Sequence, residues 1–134
     1  MESESSDHAA VTRHISGALA EDAAEAHLRS NGHRVLGRNI RLGHLEVDLV
    51  TIDPSDGSLV ICEVKARRGN HHAPELRVDR TKRRHLVTAA AMLLQRPALR
   101  QRAVRFDVIA VQLDDRGHPM SVRHLARAFD AGDV

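Results

Sequence analysis

Leu45-Glu46-Val47-Asp48-Leu49-Val50-Thr51-Ile52-Asp53 and, beyond Pro54-Ser55-Asp56-Gly57, Ser58-Leu59-Val60-Ile61-Cys62-Glu63-Val64-Lys65 are the stretches that decide the fold. Both alternate and are rich in β-branched residues, the pattern of strands, and the four residues between them form turns readily. If Asp53 and Ser58 close that loop, Val50 meets Ile61 and Ile52 meets Leu59. The same register sets Asp48 opposite Glu63 and Glu46 opposite Lys65. Side chains alternate along a strand, so all four polar residues are expected on one face, with opposed Cβ atoms roughly 4.5–5.5 Å apart. Two carboxylates that close repel unless a proton or a cation lies between them. A sheet face held by ordinary ion pairs is the competing reading, and a slip of one residue would scatter the cluster.

Outward from this hairpin the pattern is simple. Residues 1–12 are polar and aperiodic, expected as a disordered tail, with a single domain over 13–134. Ser16 can cap a helix whose apolar stripe is Leu19, Ala20, Ala23, Ala24 and Leu28, stopped at Asn31-Gly32. A short strand is expected over 33–39 and a polar loop over 66–78. A second helix follows over 79–95, capped by Asp79 or Thr81. Residues 103–113 read as a strand, and Asp115-Arg116-Gly117 turns into a last strand near 120–125. The order α-β-β-β-α-β-β specifies an α/β fold with a mixed central sheet flanked by helices.

Charge is segregated. The net charge is only +2, yet residues 1–25 carry −5 and residues 67–84 carry +5, followed by Arg96, Arg100, Arg102 and Arg105. Such a basic region suits a polyanion such as a nucleic-acid backbone; a solvated arginine-rich surface is the alternative. Among 20 basic residues only Lys65 and Lys82 are lysine. A compact ammonium reaches one oxygen or one water as a planar guanidinium cannot. The absence of Trp and Tyr leaves only Phe106 and Phe129 for stacking, so recognition by backbone and shape is expected. A single cysteine, Cys62, excludes an internal disulfide framework and suits burial. No apolar run is long enough to span a membrane and no signal peptide is evident, so a cytoplasmic location is expected. The histidines show no HExxH spacing, and His71-His72 falls in the expected loop. Asp107 is expected to anchor its strand or to pair with a neighbouring arginine.

The carboxylate cluster has a chemistry of its own. A carboxylate pair is what proteins contribute to a Mg²⁺ site, where waters and substrate phosphate complete the shell. Lys65, one pleat beyond Glu63, is placed to orient an attacking water or screen charge on phosphorus, with Glu46 steadying it.

Asp48 followed by Glu63-Val64-Lys65 resembles the core motif of the PD-(D/E)XK, restriction-endonuclease-like nucleases. More narrowly, the chain resembles the YraN-like bacterial family, near the Holliday-junction resolvases. The resemblance runs from Gly17 to Phe129. It rests on Gly17-x-x-Ala20-Glu21, Gly32, Arg38-Asn39, Glu46-Val47-Asp48-Leu49-Val50, Cys62-Glu63-Val64-Lys65-x-Arg67, Lys82 and Arg105-Phe106-Asp107-Val108. Leu45 and His27 depart from it, standing where the family has a glycine and an aromatic.

The resemblance implies a restriction-endonuclease-like core and a Mg²⁺- or Mn²⁺-dependent nuclease acting on DNA, branched DNA included. It implies Asp48, Glu63 and the Val64 carbonyl as metal ligands, Lys65 as the catalytic lysine and Glu21 as a further catalytic acid. Arg67, Arg68, Lys82, Arg83 and Arg84 are the expected contacts to DNA. A second copy of the chain is a candidate partner; a membrane is not. A nucleic-acid-binding or assembly protein that keeps the fold without turnover is the alternative function.

Overall fold

The computed structural model describes residues 17–69 and 76–134; the expected tail, the Ser16 cap and His71-His72 lie outside them. Helix α1 covers 17–30. Then come β1 (Arg34–Leu42), β2 (Leu45–Asp53), β3 (Ser58–Arg68), α2 (Arg80–Leu93), β4 (Val104–Leu113), β5 (Pro119–Phe129) and a closing 3₁₀ turn (Ala131–Asp133). The sheet order is β1-β2-β3-β4-β5. Every pair is antiparallel except β3–β4, which is parallel and bridged by α2. This is the mixed α/β arrangement of a restriction-endonuclease-like core.

Local chemistry explains the helix ends. His33 N–H donates to Leu28 O and Gly32 N–H to Arg29 O, each at 3.0 Å, with Gly32 left-handed at φ +85°. These bonds form the paired closure in which glycine avoids a Cβ clash. Asp79 caps α2, its carboxylate accepting the Lys82 backbone N–H at 2.8 Å. Asp79→Ala should cost about 1 kcal/mol, read as a lowered denaturation midpoint.

Each face of the sheet buries one helix. Leu86, Ala89, Ala90 and Leu93 of α2 pack on Val50, Ile52, Leu59, Ile61 and Val108. Ala20, Ala24 and Leu28 of α1, four residues apart, pack on Leu49, Val60, Cys62, Ile109 and Val111. Small alanines let that helix lie close to the strands.

Three strands run longer than the sequence pattern suggests. β1 extends to Leu42 and turns tightly through Gly43-His44, where Gly43 adopts φ +65°. β3 continues to Arg68, so Arg67 and Arg68 stand on a strand where a loop was expected. β5 extends to Phe129.

The α1 side also carries a polar seam. Asp107 is fully buried, and Arg105 grips it with Nε to Oδ1 at 2.9 Å and Nη2 to Oδ2 at 3.0 Å. Asp107 also accepts the Arg127 backbone N–H at 3.1 Å, and His124 Nε2 lies 2.7 Å from Oδ2. His27 Nε2 lies 3.1 Å from His124 Nδ1, tying α1 to β5. Arg105 reaches Asp53 as well, at 2.8 Å. The expected pairing of Asp107 with a neighbouring arginine is thus observed. His27, at the aromatic position of the resembled family, serves as a polar tie.

Candidate active site

The register of β2 and β3 is that read from the turn: Asp53 pairs with Ser58, Ile52 with Leu59 and Val50 with Ile61. The ladder ends at Leu49–Cys62, and the next residue on each strand is a carboxylate, Asp48 or Glu63. Where the strands part, the Val64 backbone N–H donates to Asp48 Oδ2 at 2.8 Å. Asp48 thereby braces the opening. The Glu63 carboxyl adjoins that of Asp48.

Burial, followed by the hydrogen bond to and the negative charge of Asp48, pushes the Glu63 carboxyl up to about 8, against the pull of Lys82 and Lys65. The pair therefore holds a proton near neutral pH, in a place where a hard cation would also satisfy both oxygens. This donor set fits a divalent ion held by Asp48 and Glu63. Among the described residues, no three His, Cys, Asp or Glu side chains converge as a metal cluster.

Both lysines lie at the site. Lys65 Nζ donates to the carbonyl of Arg77, just ahead of α2. Lys82 Nζ lies 3.8 Å from Glu63 Oε2, carried there by the first turn of α2. Lys82, expected on a DNA phosphate, stands beside the carboxylate pair. Its rarity in an arginine-rich chain was the signal for such a place.

Glu46 does not join the cluster, and strict alternation is what fails. Leu45 and Val47 belong to the α2-side core, as do Val50 and Ile52, whereas Leu49 packs on the α1 side. Two residues of the same face flank an interval of three, so the faces exchange at Asp48. On the facing strand the exchange falls at Asn39, left-handed at φ +52° between the pairs Arg38–Leu49 and Ile40–Val47. Glu46 therefore pairs with Arg41 and lines a cleft of about 520 Å³ with Glu21, Arg38 and Asn39. Leu45 is a core residue of the α2 side.

Glu21 stands in that same cleft. Its Oε2 accepts Arg38 Nε at 3.1 Å and Asn39 Nδ2 at 2.9 Å. Arg38 also donates to Asp22 at 2.5 Å and to the Ala18 carbonyl at 3.0 Å, clasping α1 to β1. Asn39, at the same step of the sheet as Asp48, ties Glu21 to β1. Its side-chain role was not read from sequence; only its place after Arg38 marked it.

The basic residues divide. Arg67, Arg68 and Arg84 are exposed, and Arg67 and Arg68 follow Lys65 along β3. Arg83 is half-buried, its Nε enclosed. Cys62 is fully buried on the α1 side, and burial pushes its thiol far up, so it is inert.

Known proteins resemble this chain over most of its length. A family model described as an uncharacterised protein family, UPF0102, matches residues 20–111. A UPF0102 protein of Pelobacter propionicus is 39% identical over 115 residues, 85% of this chain and 81% of the relative. One from Oleidesulfovibrio alaskensis is 38% identical over 117 residues, and this chain spans only 57% of that relative's length. One from Xylella fastidiosa is 39% identical over 125 residues, covering 92% of this chain and 98% of its own. The matched segment holds Glu21, Asp48, Glu63, Lys65 and Lys82 together, and the chain belongs to the UPF0102 family.

Proposed function

We propose that the protein is a Mg²⁺- or Mn²⁺-dependent nuclease that hydrolyses phosphodiester bonds in DNA. The observation that carries this reading is the Asp48–Glu63 pair, set side by side at the end of a ladder with two ammonium groups beside it. An ordinary structural pairing would set each acid against its own base; here Asp48 adjoins Glu63, and Lys82 stands 3.8 Å from the pair's Glu63 Oε2.

In this reading Asp48 and Glu63 hold the ion, with the Val64 carbonyl as the main-chain ligand that the family resemblance implies. A bound ion of this class acidifies a coordinated water and offsets charge growing on phosphorus. Lys65 retains two N–H groups beyond the one given to the Arg77 carbonyl, and these orient the attacking water or meet a phosphate oxygen. Lys82 steadies Glu63 when no cation is bound. Glu21, fixed by Arg38 and Asn39, supplies further negative charge from the α1 side.

One contact favours the second reading, a nucleic-acid-binding or assembly protein without turnover: Lys65 is tied to a backbone carbonyl. A cleavage assay on linear, nicked and four-way-junction DNA, with and without Mg²⁺ or Mn²⁺, separates the two. Metal-dependent cutting by wild type and none by Lys65→Ala supports the nuclease. Binding with no cutting supports the alternative, and equal cutting by both proteins signals contamination.

The exposed arginines make a second prediction. Each phosphate neutralised should steepen the fall of duplex affinity with salt by roughly 0.9 in log–log slope. Arg67→Ala with Arg84→Ala should flatten that slope by up to two such steps, with little change in sequence preference. Slopes that match wild type would remove both residues from the DNA surface.

A further inference from the structure

Beside the carboxylate fork, the segment leading into α2 and strand β5 enclose a cleft of about 350 Å³. Leu76, Val78, Leu125 and Phe129 make its walls apolar, and its charged groups are Arg77 and Arg83. Among the described residues no carboxylate lines it. Phe129 is held in place by stacking on Phe106, ring centroids 4.8 Å apart. The adjoining wall is fixed too, because the Arg127 N–H is bonded to buried Asp107.

Arg83 is the unexplained element. Its Nε is enclosed and has no hydrogen-bond partner, and no ion pair to it is found among the described residues. Arg77 joins the cleft to the candidate active site: the residue lines the cleft, and its carbonyl receives Lys65 Nζ.

Apolar walls with cationic groups and no acid suit an anion that carries a flat apolar body. The volume lies within the range of small-molecule sites, about 300–1,000 Å³. We infer that this cleft receives one unpaired nucleotide of the DNA, its base between Leu125 and Phe129 and its phosphate on Arg83. The inference rests on the nuclease reading above and narrows the substrate: a base within a duplex stack cannot enter, so the preferred DNA carries a displaced nucleotide near the scissile bond. The cleft then supplies at one nucleotide the stacking surface that the aromatic-poor composition denies elsewhere.

The test uses the full chain in EDTA, with thymidine 5′-monophosphate and inorganic phosphate as probes followed by NMR titration. Anisotropy of fully paired duplex and of a duplex with one bulged nucleotide is measured alongside. Wild type should bind the mononucleotide at least tenfold tighter than phosphate and should prefer the bulged duplex. Arg83→Ala should weaken mononucleotide binding by about tenfold, the worth of one charge-assisted hydrogen bond. Leu125→Glu, at a side chain already 39% exposed and so harmless to the core, should do the same by placing an acid at the cleft. Unchanged mononucleotide affinity in both variants, or equal affinity for mononucleotide and phosphate in wild type, overturns the inference. Mononucleotide binding and bulge preference without metal-dependent cutting would sink the nuclease reading alone, since neither measurement involves hydrolysis.

Discussion

Asp48→Asn and Lys65→Ala should each lower metal-dependent cleavage by roughly 10²–10⁴-fold, the range lost with one positioned catalytic group. The two should differ in calorimetry. Asp48→Asn removes half of the carboxylate pair and should abolish Mn²⁺ binding, whereas Lys65→Ala should leave it in place. Unchanged metal affinity in Asp48→Asn would remove the ion from this fork.

Stability of the metal-free protein gives a readout independent of activity. Glu63 is pushed up to about 8 in the folded chain, so the fold holds a proton that the unfolded chain releases at the ordinary carboxylate range. The proton's contribution is complete below that range and is lost as pH rises toward 8. Glu63→Gln keeps the shape and removes the charge. It should melt higher than wild type at pH 8.5 and near it at pH 5. Added Mg²⁺ should narrow the gap by stabilising only wild type. A variant that melts lower throughout would mean that the two acids do not strain the fold.

The second large effect belongs to the opposite face. Asp107→Ala should cost about 3–5 kcal/mol, because it strands the buried Arg105 guanidinium and leaves the His124 ring and the Arg127 N–H without their acceptor. For Asp107, burial raises the carboxyl, but the bonds from His124, Arg105 and Arg127 outweigh it and hold the group below the usual range. Asp53 is held low by Arg105 in the same way. Both therefore stabilise the fold at neutral pH, and that stability is lost as pH falls below the ordinary carboxylate range. Urea unfolding at pH 7 and pH 3 should show a large drop for wild type and a smaller one for Asp107→Ala. Equal drops would place the acid sensitivity elsewhere.

Much of this architecture was legible because the β2–β3 turn is explicit. Pro54-Ser55-Asp56-Gly57 fixed the register, and the register put Asp48 and Glu63 together. Glu46 was misplaced for a reason that period-two reasoning cannot see: a left-handed Asn39 on the neighbouring strand, which reverses the two faces at Asp48. Asparagine tolerates that conformation, but nothing in one strand's pattern says that its neighbour will impose it. That Lys82 also stands beside Glu63 was not legible, because a helix residue's reach across a crossover depends on packing. The basic count between residues 67 and 84 fitted a phosphate surface equally well. His27 and His124 are far apart in sequence and meet only through the docking of α1 on β5, which no spacing motif shows.

The single parallel pair in the sheet has a consequence for the order in which the chain assembles. β1, β2 and β3 are joined by short turns, so the meander that brings Asp48 to Glu63 needs only local loop closure. Lys82 arrives later, because α2 settles only when the chain crosses over and β4 aligns beside β3. The two acids are thus expected to meet before their counter-charge exists, protonated or repelling according to pH. Refolding of the metal-free protein should slow as pH rises past neutrality, and Glu63→Gln should abolish that dependence. The same substitution then reports twice, once on the finished site and once on the path by which the chain reaches it.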